Sequence, residues 1–256
     1  MKIDARGLVV MEKRVGESDR LVTLLTAEKG ILRAFVHFSG RARGSRLSAT
    51  RLFTYSRFTI YEGRDSYIID DAQPIEVFFD LRKEISRLSL AQYFCELSAV
   101  LAPQGSEADG FLRLMLNAMY FLQKGTHPEG IIKSVVEMRM MSLAGYMPDL
   151  VYCAKCRCYE ADTMFFLPRS GIILCGDCFQ PSESQNPEPA VALGRGAMTA
   201  LRHTIYADFG KMFSFRVSPK AESELAETSE RYVLETLGRG FGTLDFYHQM
   251  SSAKKI

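Results

Sequence analysis

Cys153-Ala154-Lys155-Cys156 is followed by eighteen residues and then by Cys175-Gly176-Asp177-Cys178. Two Cys-x-x-Cys pairs at this separation form a zinc-site pattern. The two-residue gap lets a tight knuckle aim both sulfurs at one ion, and two knuckles close a tetrahedron. Between them lie two short apolar runs, Met164-Phe165-Phe166-Leu167 and Ile172-Ile173-Leu174, joined by the turn residues Pro168-Arg169-Ser170-Gly171. This pattern predicts a β-hairpin that returns the second knuckle to the first. Cys153, Cys156, Cys175 and Cys178 are the expected zinc ligands. Four thiolates leave no open coordination position, so the expected role is structural. The competing reading is a pair of redox disulfides or four reduced cysteines. It does not account for spacing, hairpin and cysteine concentration together. Cys158 is a spare thiol two residues beyond a ligand, able to substitute for one. Cys95 falls in a helical apolar pattern and reads as a small buried hydrophobe.

Five of the six cysteines lie within this stretch, which argues against a disulfide framework. The N-terminal residues carry charges and no long apolar core follows, so no signal peptide is expected. No run approaches the ~18 apolar residues of a transmembrane helix. The sequence reads as cytoplasmic, with no membrane partner.

Residues 3–73 read as β structure. Apolar runs at 8–11, 21–25, 31–38, 52–61 and 67–69 alternate with turn chemistry such as Gly16-Glu17-Ser18-Asp19 and Ala27-Glu28-Lys29-Gly30. A Gly-, Ser- and Arg-rich loop is expected at 39–48. Five short strands in this length fit a Greek-key barrel of the OB type, with an SH3-like barrel as the competitor. The period then changes to helical. Pro74 suits a first helical position. Phe78, Leu81, Ile85, Leu88, Tyr93, Leu97 and Leu101 continue the stripe, and helices near 111–122 and 129–144 follow. The expected class is therefore α+β. An OB domain at 3–73 precedes a helical domain at 74–150. A four-cysteine zinc module at 151–180 and a second helical part at 190–250 complete it. Within the last part, Ser218-Pro219 reads as a helix start and Gly238 as its end.

From Lys29 to Tyr61 there is no Asp or Glu, while seven Lys or Arg residues are present. Such an isolated positive field attracts polyanions. Phe53, Tyr55, Arg57, Thr59 and Tyr61 alternate onto one face of the fourth strand. Rings for base stacking beside guanidiniums for the backbone suit single-stranded nucleic acid. Arg33, Arg41, Arg43, Arg46, Arg51 and Arg57 are the candidate phosphate contacts, with Phe53 and Tyr55 as candidate stacking residues. The alternative is an aromatic core face with a solvated arginine loop. No catalytic constellation is recognised. Gly210-Lys211 is followed by Met212, so it makes no phosphate-binding loop, and the four histidines are scattered. The chain reads as non-enzymatic.

Several segments together resemble a known family. These are Gly7-Leu8-Val9-Val10, Gly16-Glu17-Ser18-Asp19-Arg20-Leu21-Val22-Thr23-Leu24-Leu25-Thr26, the loop ending Ser45-Arg46-Leu47, and Gly145-Tyr146-Met147-Pro148-Asp149-Leu150 leading into the first cysteine pair. They are similar to bacterial RecO, a recombination-mediator and annealing family in DNA repair. The resemblance implies an OB fold, a helical domain and a zinc module. It also implies binding of single- and double-stranded DNA and annealing of complementary strands. RecR and RecF are implied as partners, together with the C-terminal tail of single-strand-binding protein, in loading RecA onto coated strands. The chain departs from the family where Arg157-Cys158 follows the second cysteine, a place where glycine is common. The competing function is an RNA-binding or translation-associated OB protein with a structural zinc ribbon.

Overall fold

The computed structural model describes residues 2–16, 19–37, 43–63, 66–180 and 189–253. Two compact units emerge, one of Met1–Thr126 with Phe241–Ile256 and one of His127–Gly240. The division thus falls between residues 126 and 127, and residues 241–256 group with the first unit.

The first unit opens with β1 (Lys2–Val15), β2 (Asp19–Thr26) and β3 (Gly30–Val36). A short helix α1 (Arg43–Ala49) precedes β4 (Thr54–Glu62) and β5 (Tyr67–Val77). The five strands close into a barrel in the order β1-β2-β3-β5-β4. Closure depends on the length of β1: Lys2 to Leu8 pair with β4, whereas Gly7 to Val15 pair with β2. One strand thus serves both neighbours, and the ring closes between β3 and β5, where Ala34 pairs with Tyr67 and Phe35 with Ile68. Period-two patterning fills the interior with Val9, Val22, Leu24, Leu32, Ala34, Phe58 and Ile60. Tyr55, Arg57, Thr59 and Tyr61 take the outward positions of β4.

Two sequence expectations change here. The loop expected at 39–48 contains α1, whose end is buried at Ala49; seven residues are too few to display a helical period. Residues 38–42 lie outside the described residues. Pro74 does not start a helix. It lies in β5 opposite Ser56, where the register shifts between Tyr55 and Ser56. A bulge is one of the few strand positions that tolerates a residue without an N–H.

A 3-10 turn (Phe79–Lys83) leads to α2 (Ile85–Leu101) and α3 (Asp109–Lys124). The β2–β3 turn is tied to the loop between these helices. Ile31 N donates to Pro103 O at 2.8 Å, Gly105 N to Lys29 O at 3.0 Å and Ala108 N to Ala27 O at 2.7 Å. The terminal helix, Gly242–Ala253, returns to α2. Thr243 Oγ1 donates to Glu96 Oε2 at 2.6 Å, and the Phe241 ring meets Tyr93 edge-on at 5.5 Å.

The second unit contains α4 (Glu129–Leu143), α5 (Arg195–Tyr206) and α6 (Pro219–Leu237), so the terminal helix of the first unit is α7. The three-stranded sheet of the second unit is ordered β7-β6-β8, from β6 (Thr163–Leu167), β7 (Ile172–Cys175) and β8 (Val191–Gly194). The β6–β7 hairpin matches the sequence expectation. Sequence reading missed β8, which pairs antiparallel with β6. Ser218 caps α6 by accepting from Ala221 N at 3.3 Å, and Gly238 ends it with φ 60°. Met138, Met140 and Met141 are buried, as is Met115 in the first unit, so these methionines fill core gaps. Among the described residues, no helix is long and apolar enough to cross a membrane.

Candidate metal centre and nucleic-acid interface

The hairpin places Cys175 at the end of β7, within reach of the first knuckle. The sulfurs of Cys153, Cys156, Cys175 and Cys178 all lie within 4.8 Å of one another. A tetrahedron of sulfurs with metal–sulfur bonds of about 2.3 Å has edges of about 3.8 Å. Cys156 Sγ and Cys175 Sγ are already at 3.6 Å. The donor set is all thiol, so these four cysteines fit a metal ion, closed on the protein side.

Backbone groups shape the knuckles. Arg157 N donates to Cys153 O at 3.0 Å, and Cys178 N to Cys175 O at 3.0 Å. Arg157 has φ 65°, a left-handed conformation in which glycine would be unstrained. The turn is thus kept with arginine in place of glycine, and its guanidinium lies 5.2 Å from the Tyr152 ring centre. Burial pushes the Cys153 thiol up, but backbone N–H donors from Cys156, Cys175 and Lys155 outweigh it and bring the group down to about 6. The Cys158 N–H holds Cys156 below its ordinary value. Hydrogen bonding to Cys156 pushes Cys158 and Cys178 up to about 12. For Cys153 and Cys156 the knuckle amides thereby favour the thiolate form that ligation requires. Cys158 is half-buried beside the cluster, and Cys95 is buried on α2, where desolvation raises its thiol.

The arginines do not form one patch. Arg33 projects from β3 into a recess with Lys29, Tyr67 and Gln104. Arg57 projects from β4, which is separated from β3 by β5. Arg46 is half-buried on α1 and donates to His37 O at 3.2 Å. Arg41, and the side chain of Arg43, lie outside the described residues. Tyr55 is half-buried opposite Leu8 and Glu76.

Phe53 is corrected. It precedes β4, has φ 66° and is 0% exposed. Its N–H donates to Val9 O and its carbonyl accepts from Phe78 N. The positive φ turns the ring away from the outer face, so Phe53 is core and offers no stacking surface.

The geometry adds cations that sequence reading missed. Arg51 shares a recess with Lys13, Arg14, Arg20 and Glu12. Glu12 is bound to Arg20 at 3.0 Å, so among the described residues the recess keeps a net positive lining. Arg6 pairs directly opposite Arg57 across β1 and β4, and both are exposed. Like charges so placed disfavour the sheet unless something neutralises them. The signal was present in Lys13-Arg14 and Arg20. It was diluted by Asp4, Glu12 and Asp19, which broke the acid-free window.

Two family models match most of the sequence. The family model described as "Recombination protein O N terminal" matches residues 1–78, and "Recombination protein O C terminal" matches residues 82–245. A protein of Acetivibrio thermocellus named DNA repair protein RecO is 30% identical over 97% of each chain. Proteins with the same name from Dehalococcoides mccartyi, 28% identical over 90% of each chain, and Symbiobacterium thermophilum, 25% identical over 97% of each, are also similar. The two family matches span the barrel, the helices and the cysteine module, and the chain belongs to the RecO family of DNA repair proteins.

Proposed function

We propose that this chain is a DNA-binding recombination mediator that anneals complementary strands. The observation that carries this reading is the gathering of Lys13, Arg14, Arg20 and Arg51 around one recess, on a chain of a DNA repair family. We read the barrel as an OB fold whose outer surface binds single- and double-stranded DNA. Arg6 and Arg57 neutralise phosphates on that surface, with Arg33, Arg41, Arg43 and Arg46 as further contacts. Annealing consumes no nucleotide. Cationic side chains screen two phosphate backbones, and base pairing supplies the free energy. In this reading the protein works at the nucleoid with RecR, and with RecF, to load RecA onto strands coated by single-strand-binding protein.

The double variant Arg14→Ala/Arg51→Ala should weaken both single- and double-stranded DNA binding. The slope of log affinity against log salt should fall by about 1–2, because each lost phosphate contact removes about 0.7–0.9. Titration across a salt series checks this, and an unchanged slope places the phosphates elsewhere. A matched RNA titration is run alongside. Tighter RNA binding with no strand annealing would favour the translation-associated reading instead.

The cysteine module holds a structural zinc ion. Purified protein should contain about one zinc per chain by elemental analysis, and Cys156→Ser should lose most of it. Annealing should survive in the proportion of the variant that remains folded, since no catalytic step runs through the metal. Full zinc retention in Cys156→Ser would give Cys158 the ligand role.

A further inference from the structure

Beside the cationic recess lies a second one of about 440 Å³, and Arg51 lines both. Among the described residues, the rest of the second lining is Leu47, Ser48, Val77, Phe79 and Arg82. Its character is apolar. Val77 and Phe79 stand open together, at 42% and 62% exposure. Adjoining exposed apolar side chains rimmed by charge mark contact surfaces. Arg82 is fixed here: its Nη2 donates to Leu52 O at 3.0 Å. Its guanidinium lies 5.6 Å from the Phe53 ring centre and 5.7 Å from that of Phe79. An apolar, ring-bearing slot thus shares an arginine with a phosphate-seeking recess.

We propose that this slot is a nucleobase subsite. One unpaired base of a single strand stacks on Phe79 beside Val77 and Leu47, while the adjoining phosphates lie on Arg51 and the Lys13, Arg14 and Arg20 recess. The inference rests on the DNA-binding reading above and sharpens it to a strand preference. A base in a duplex is already stacked and cannot enter, so the slot distinguishes single from double strands. Charge complementarity selects the occupant. The neighbouring recess favours a polyanion, and a polynucleotide repeats an anion and a flat apolar ring at every residue.

The test uses the full chain and two short oligonucleotides of equal length, one of oligothymidylate and one of fully abasic sugar-phosphate. Wild type should prefer the thymidylate by about 5- to 150-fold, the range for one stacked base. Phe79→Ala should remove most of that preference, leave duplex affinity and the salt slope unchanged, and keep the urea midpoint of wild type. Phe79→Trp should restore the preference. If Phe79→Ala shifts the midpoint, Val77→Glu, which puts a carboxylate into the slot, is read in its place and should give the same loss. Failure of wild type to bind either oligonucleotide overturns the DNA-binding reading and this one with it. Binding without a preference for bases, or a preference that Phe79→Ala and Val77→Glu leave intact, overturns the subsite alone. If the variants instead lose an acidic, apolar-ended peptide while keeping the thymidylate, the slot is a peptide site and the subsite is again overturned.

Discussion

Lys133→Met should destabilise the second unit by about 3–5 kcal/mol, the usual cost of removing one partner from a buried ion pair. Lys133 and Glu137 lie one turn apart on α4, and their side chains are 3% and 0% exposed. The ammonium is 3.0 Å from Glu137 and 2.8 Å from Glu230 on α6. It also donates to Ala226 O, and Ser229 Oγ donates to Glu137 at 2.6 Å. Methionine keeps the volume of the stem but leaves the Glu137 carboxylate in the α4–α6 interface without its cation. Most of the desolvation of that buried anion then goes uncompensated. The effect should reverse when both charges are removed. Lys133→Met/Glu137→Leu should recover most of the loss, because paired removal of buried charges is often near neutral. Urea unfolding of wild type, both single variants and the double variant gives the coupling directly. A single variant with wild-type stability would mean that water reaches the pair.

Gly30→Ala is the second large effect. Gly30 has φ 60°, and a Cβ there would meet Pro103 O at 2.0 Å. The neighbouring Ile31 N–H donates to that same carbonyl. Alanine therefore meets the ~1–2 kcal/mol of the left-handed conformation together with ~1–3 kcal/mol of overpacking. It must also push away the loop that Ile31 holds, so the expected loss is about 3 kcal/mol or more. Gly16→Ala is the matched control. It has φ 63° but nothing within 4 Å of its Cβ, so only the conformational part of about 1–2 kcal/mol applies. Denaturation midpoints of the two variants separate strain from collision. Equal losses would show that the Pro103 loop moves aside freely.

Much of this architecture was legible wherever local chemistry leaves little choice. The Cys-x-x-Cys spacing required a hairpin, and Ser218-Pro219 with Gly238 bounded α6 because cap residues act within one turn. The helix expected at 129–144 was also placed correctly, as Glu129–Leu143, although Leu143 is exposed. The helix α1 and strand β8 were illegible because each is short and each is set by what it packs on. Pro74 misled because its missing N–H suits a bulge as well as a helix start. Alternation placed the outward side chains of β4 correctly and failed just before the strand began, at Phe53. A positive φ reverses a side chain without leaving a mark in a non-glycine residue. Arg6 opposite Arg57, and Arg51 beside Lys13 and Arg14, depend on strand register and on closure, which no local window contains. The acid-free stretch thus identified the cationic recess by its loop side, at Arg51, and missed its strand side.

The return of α7 to α2 has a consequence for the order of events at the ribosome. Domains generally fold as units as the chain emerges, N-terminal first. Here residues 127–240 are complete while the earlier unit still waits for its final helix. Until Phe241 arrives, Tyr93 lacks its edge-on partner, so the first unit is started before the second and finished after it. A chain cut short after residue 240 would keep its cysteine module and leave the α2 surface bare.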